Sequence, residues 1–131
     1  MSKKIETSAI TAGRPAVTPD APLNPSIDLT STFHSGGPIG YGRYGNQTWT
    51  SLEDAISELE GGQTLTFSSG MAAISAVFSI LPIGAPIVAS NQGYSGVMSL
   101  LNSFHTSGRL EVRFVDVVNT QEVIDAMKGA A

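Results

Sequence analysis

With 131 residues, 41% of them hydrophobic, the chain is long enough for one core, and without an apolar run of about eighteen residues it is expected to be soluble with no membrane partner. Seven Lys plus Arg against eleven Asp plus Glu give a net charge of −4 and no basic cluster, so nucleic acid is not an expected partner. Zero cysteines exclude a disulfide framework and a thiolate metal site, and Met1-Ser-Lys-Lys-Ile-Glu6 lacks the apolar core of a secretory signal, which makes a cytoplasmic location the expectation.

Residues 1–49 are expected to form an extended arm. Between Ala9 and Gly45 there are five prolines (Pro15, Pro19, Pro22, Pro25, Pro38) and six glycines, and no apolar period of 3.6 or 2 persists. Yet Ile27, Leu29, Phe33, Ile39, Tyr41, Tyr44 and Trp49 are too many large apolar groups for a tail left in water. They point to an arm packed on something, with another subunit as the expected partner. Gly36, Gly37, Gly40, Gly42 and Gly45 surround Tyr41 and Arg43 with backbone expected to bring no packing of its own.

Residues 50–131 follow an α/β grammar. Thr50-Ser-Leu-Glu53 reads as a capping box, and Leu52, Ala55, Ile56 and Leu59 recur at helical spacing up to a stop at Gly61-Gly62. Thr64-Leu-Thr-Phe67 reads as a strand, Ser68-Ser-Gly70 as a tight turn, and Met71 to Leu81 as a helix apolar nearly all round, hence buried between other elements. Pro86 to Ser90 is a second strand, and Val97, Leu100, Leu101 and Phe104 give the next helix an apolar face. Leu110, Val112 and Phe114 alternate with Glu111 and Arg113 in a third strand nearer a sheet edge. Asn119 with Glu122 caps a last helix carrying Val123, Ile124 and Met127. Three alternations of strand and helix predict a mainly parallel sheet with helical crossovers.

In such sheets ligands sit at the C-terminal ends of strands, where Ser68 to Met71 and Asn91 to Gly96 fall. Small residues at the first turn let backbone approach a ligand, and the free N–H groups of the helix start favour an anion, for which a phosphate is the natural guest. An ordinary βα connection reads the same way from these residues alone.

Tyr41-Gly-Arg-Tyr-Gly-Asn-Gln-Thr48, Glu60-Gly-Gly62, Ser68-Ser-Gly-Met-Ala-Ala73 and Tyr94-Ser-Gly96, in this order and at these spacings, resemble the N-terminal third of the Cys/Met-metabolism family of pyridoxal-phosphate (PLP) enzymes, which includes cystathionine gamma-synthase and gamma-lyase. The resemblance runs from about Ala12 to the C-terminus. It implies the N-terminal part of a fold type I PLP-dependent transferase, with the arm leading into an incomplete cofactor-binding α/β domain and subunits pairing as dimers of dimers. It also implies pyridoxal 5'-phosphate as cofactor and a small amino-acid substrate. Carried over by position, Ser69, Gly70 and Met71 bind the cofactor phosphate, Tyr94 stacks on the pyridine ring, and Tyr41 and Arg43 reach the phosphate of a neighbouring subunit.

Three departures qualify the resemblance. Gln47 stands where the family has proline in an Asn-Pro-Thr turn, and Ser99 where many members carry a basic residue. The family's Schiff-base lysine, the aspartate for the pyridine nitrogen and the arginine for the substrate carboxylate lie further along than Ala131, so no catalytic residue is assigned and the chain is expected to be an inactive N-terminal fragment. Lys3 and Lys4 sit in a polar terminus and Lys128 at a helix end, none of them desolvated as a Schiff-base lysine must be. His34 and His105 offer no metal pair. The expected function of the whole enzyme is γ-replacement by cysteine on an activated homoserine, as in a cystathionine gamma-synthase. Cystathionine gamma-lyase or another carbon–sulfur lyase is the close alternative, and a non-catalytic phosphate-binding or assembly module the alternative of another class.

Overall fold

The structure, a computed structural model, describes residues 4–130, so Met1 to Lys3 and Ala131 lie outside the described residues. Residues 4–66 form one compact unit and 67–130 another.

In the first unit a short helix α1 (Ile5–Thr11) packs on a long helix α2 (Gln47–Glu60), and buried Ser8 donates its hydroxyl proton to Glu58 Oε1 at 2.7 Å. Helix α1 was not anticipated, because the Pro- and Gly-rich pattern begins only after it. Helix α2 also starts earlier than the expected Thr50 box. Asn46 is the cap, its side chain accepting the Thr48 N–H at 2.8 Å, and its own amide donates to Asp28 O at 3.0 Å. Thr48 Oγ1 accepts the Asp28 N–H at 2.7 Å, which ties the arm to the start of α2. Gln47 therefore occupies the first helical position. Proline is favoured there because that N–H has no intrahelical partner, so Gln in place of Pro costs the helix little. The helix ends as expected at Gly61, φ 72°, the left-handed conformation glycine adopts most readily.

Glu53, released from its expected capping role, accepts both the N–H and the hydroxyl of Thr66 at 2.8 Å, and Ser57 Oγ accepts the Thr64 N–H at 3.0 Å. The expected strand at Thr64–Phe67 is therefore corrected. It is unpaired among the described residues, since two of its donors go to α2 side chains where a ladder would need them. The arm glycines also pack more than expected. Gly42 is buried, its N–H bonded to Ser31 O at 2.7 Å, and a Cβ there would meet Ser31 Cα at 3.1 Å. Gly45 lies equally close to Ile39. Residues 31–42 thus turn back on themselves, with Thr32 and Tyr41 bridged antiparallel.

The second unit runs α3 (Gly70–Ser79), β1 (Ala85–Ser90), α4 (Ser95–Thr106), β2 (Leu110–Val115), α5 (Thr120–Met127). The strands pair in parallel, Ala85 opposite Leu110 through Ser90 opposite Val115, as the crossover pattern predicted. The core is Leu101 of α4 against Leu110 and Val112 of β2, with Phe78, Leu81, Ile87, Val97 and Phe104 around it. Phe78 meets Phe104 edge-on, ring centroids 6.2 Å apart, in the arrangement that ring quadrupoles favour. Asn119 caps α5 by accepting the Glu122 N–H at 3.3 Å, as expected.

Helix α3 departs from expectation in one respect. None of its residues is buried, and Val77 is 58% exposed, because the core touches only the face carrying Phe78. Its C-terminus is held by Arg109, whose guanidinium donates to the carbonyls of Phe78, Ser79, Leu81 and Pro82 at 2.7–3.3 Å. The Arg109 carbonyl in turn accepts the Gly84 N–H at 2.9 Å. A residue at the mouth of β2 thus fixes the far end of the helix whose start carries the candidate site.

Candidate functional site

The α3 start is built from Ser69, Gly70 and Met71. Ser69 is extended (φ −161°, ψ 160°), its Oγ accepts the Ala72 N–H at 3.1 Å and its carbonyl accepts the Ala73 N–H at 3.1 Å. The helix's own bonding thus begins at Ala72 and Ala73. Neither the Gly70 nor the Met71 N–H has an acceptor among the described residues, and both lie at the positive end of the helix dipole. No atom of the described residues lies within 4 Å of where a Gly70 Cβ would stand, so an anion can reach these donors. The Ser69 hydroxyl, whose oxygen already serves Ala72, retains its own proton to donate.

Tyr94 sits at the start of α4, following β1 and its turn. It supplies no side-chain cap, and the residue is 70% exposed. An aromatic at a helix start that neither caps nor buries itself has a free face. Tyr94 and Met71 are brought together at Gly96: a Cβ built there would lie 2.9 Å from Tyr94 Cε1 and 3.4 Å from Met71 Sδ.

In the first unit the Arg43 guanidinium carbon stands 5.0 Å from the centre of the Tyr41 ring, within cation–π range. Tyr44 meets Tyr41 edge-on at 6.1 Å. Both residues are exposed, so the stack presents a cation and a phenol to solvent together.

The donor set fits the phosphate and one ring face of PLP: two unpartnered N–H groups with open space in front, a spare hydroxyl proton and an exposed aromatic. It does not fit covalent attachment. Lys4 is exposed, Lys128 is 70% exposed and paired with Asp125, and Lys3 lies outside the described residues. His34 is exposed. His105 is exposed as well, its Nδ1 accepting the Val112 N–H at 3.1 Å. Sequence reasoning assigned no role to Gly96 or Arg109. The Tyr94-Ser-Gly96 spacing was visible, but the closeness of ring and sulfur to the glycine needs the tertiary structure.

Residues 6–130 match the family described as Cys/Met metabolism PLP-dependent enzyme. The chain is 38% identical over 134 residues to a putative cystathionine gamma-lyase of Streptomyces coelicolor, covering 95% of this chain and 34% of that protein. It is 37% identical over 108 residues to the cystathionine beta-lyase MetC of Bacillus subtilis, covering 78% and 28%. Among solved structures it superposes on metB from Corynebacterium glutamicum with a TM-score of 0.84 at 32% identity, covering 98% of this chain and 36% of that one. Cystathionine gamma synthase from Xanthomonas oryzae pv. oryzae, in complex with cystathionine, gives 0.84 at 30% identity, with 98% and 35% covered. The chain therefore spans about a third of the length of the relatives it matches, and its α/β architecture is that of the fold type I PLP enzymes.

Proposed function

This chain belongs to the Cys/Met metabolism PLP-dependent enzyme family, and from that premise we propose that it is the phosphate- and ring-binding portion of a trans-sulfuration enzyme of the cystathionine gamma-synthase type. That enzyme replaces the γ substituent of an activated homoserine by cysteine sulfur. The observation carrying this reading is the open α3 start, with the Gly70 and Met71 N–H groups unpartnered among the described residues and the Tyr94 ring and Met71 both bordering Gly96.

Pyridoxal phosphate, the family's cofactor, supplies an electron sink for charge developing beside the substrate amino group. The chain's own residues bind and orient. Gly70 and Met71 donate their N–H groups to the phosphate, Ser69 adds its hydroxyl proton, and the helix dipole reinforces all three. Tyr94 lays its apolar face on the pyridine ring and excludes water from that side. Arg43, steadied over Tyr41, reaches the phosphate of a neighbouring subunit as a charge-assisted fork, in a dimer of dimers. No lysine among the described residues is desolvated as an anchor for the cofactor must be. Residues 1–49 act as the inter-subunit arm and 50–131 as the first part of the cofactor domain, in a cytoplasmic enzyme.

A second reading, elimination at a carbon–sulfur bond, is favoured by the lyase names of the two sequence relatives above. The test is to load the full-length protein with PLP and supply either activated homoserine with cysteine or cystathionine alone. Cystathionine formed from the first pair supports replacement. A 2-oxo acid and ammonia from cystathionine, with no product from the first pair, transfers the assignment to the lyase. Neither reaction, with cofactor bound, leaves the non-catalytic module.

A further inference from the structure

Gly96 is the second residue of α4, and its φ is not among the positive ones, so the backbone there is open to any L-residue. Glycine is nevertheless among the poorest helix formers, because it loses the most backbone freedom on ordering. The chain places it where conformation does not require it, and the explanation lies in what occupies the space its missing side chain leaves. Tyr94 Cε1 and Cδ1 would stand 2.9 and 3.5 Å from a Cβ at this position, and Met71 Sδ 3.4 Å from it. Ordinary contact between carbons begins at about 3.5 Å, so a methyl group at residue 96 and the present ring position exclude each other. The ring is the group that yields. Tyr94 is 70% exposed, whereas Gly96 is fixed in the helix backbone.

The geometry points to Gly96 as the positioning residue for the Tyr94 ring: its bare Cα lets the ring lie back against the start of α4, beside the space that Met71 of the phosphate-binding turn also borders. The inference rests on Tyr94 as the ring-stacking residue of the proposed function and adds what sets its angle. Gly96 touches no cofactor atom in this account. It acts through Tyr94, whose ring face must lie at a fixed height above the anion site for one ligand to use both. A methyl group at residue 96 pushes the ring outward by about half an ångström or more, beyond what an offset stack accommodates without loss.

The test compares Gly96→Ala, Tyr94→Ala and the double variant in the full-length protein. Three readouts apply: the dissociation constant for PLP, the visible circular dichroism of bound PLP, and the thermal midpoint of the cofactor-free protein. Gly96→Ala is expected to keep or raise the cofactor-free midpoint, since alanine favours the helix, while weakening PLP about three- to tenfold and changing its dichroism. In the Tyr94→Ala background the same substitution should have no further effect on affinity or dichroism. Losses that simply add in the double variant overturn the proposal, because Gly96 then acts without the ring. Gly96→Ala with unchanged affinity and dichroism, beside a Tyr94→Ala that loses both, also overturns it but leaves the stacking role intact. Tyr94→Ala with no effect refutes the stacking assignment itself. A fall in the cofactor-free midpoint with unchanged dichroism assigns Gly96 to packing alone and counts against the proposal.

Discussion

Replacing Arg109 by methionine keeps most of the side-chain stem but removes every donor that holds the end of α3. The loss can be estimated from the bonds. Nη1 reaches Pro82 O at 3.0 Å, and Nη2, with two protons, is shared among Leu81 O at 2.7 Å, Phe78 O at 3.2 Å and Ser79 O at 3.3 Å. Three protons therefore make three effective bonds to four acceptors. Bonds involving a charged group contribute about 1.5–3 kcal/mol each, but some of these carbonyls are exposed and return to water when the guanidinium leaves. Three such bonds gross about 4.5–9 kcal/mol, and with the exposed carbonyls returned to water the net loss is about 2–4 kcal/mol, below the gross figure. With a urea dependence of about 2 kcal/mol per molar, that is a fall of roughly 1–2 M in the unfolding midpoint of the full-length protein. Arg109→Lys should recover less than half, because one ammonium cannot span acceptors on both sides of the turn. A loss below about 1 kcal/mol for Arg109→Met, or full recovery by lysine, would refute the claim that the fork geometry anchors α3.

Arg43→Ala in the full-length protein should weaken PLP by about 1.5–3 kcal/mol if one charge-assisted contact is lost, and mixing it with subunits lacking the cofactor lysine should restore part of the activity. No recovery despite demonstrated subunit exchange would put Arg43 in its own subunit's site. The 131-residue chain treated with PLP and borohydride should give no stoichiometric adduct by mass spectrometry, since Lys128 is exposed and paired with Asp125; a single full adduct on Lys128 would reverse that. The Asp125 carboxyl, held below its ordinary value of 3.8 by the Lys128 ammonium and then by the Gln121 amide, should titrate by NMR below that value. The depressed value means the pair's contribution is present above the unfolded pKa and fades as pH falls through the folded one, so Asp125→Asn should remove that acid dependence.

Elements that announce themselves through local pattern were legible in the sequence. The α4 face of Val97, Leu101 and Phe104, the Gly61 stop and the Asn119–Glu122 cap all depend on residues within one or two turns, and the structure has each of them. What was missed depends on partners far along the chain. Asn46 outcompeted Thr50 as the cap of α2 because its amide and Thr48 also bind Asp28 of the arm. Glu53, which matches a capping box, instead serves Thr66, thirteen residues on. Side-chain acceptors of this kind compete with backbone pairing, and only tertiary placement decides the winner.

The two helix starts near the candidate site make the same point about chemistry. Ser69-Gly70 and Ser95-Gly96 are the same dipeptide at the opening of two helices in one α/β unit, and in each a small residue leaves room. The room is used in opposite ways. At Gly70 no described residue stands within 4 Å of the missing side chain and Ser69 has taken over the capping, so the first N–H groups face open space. At Gly96 the space is filled by Tyr94 and Met71, and the preceding tyrosine provides no cap. One glycine leaves backbone donors facing open space and the other leaves room for a side chain against the helix. Substitution should separate the two. A methyl group at Gly70 has room and can obstruct only an incoming anion, whereas a methyl group at Gly96 must displace a ring already present. The identical sequence signal has two different surroundings because its neighbours, Tyr94 above all, differ in size and in where they rest.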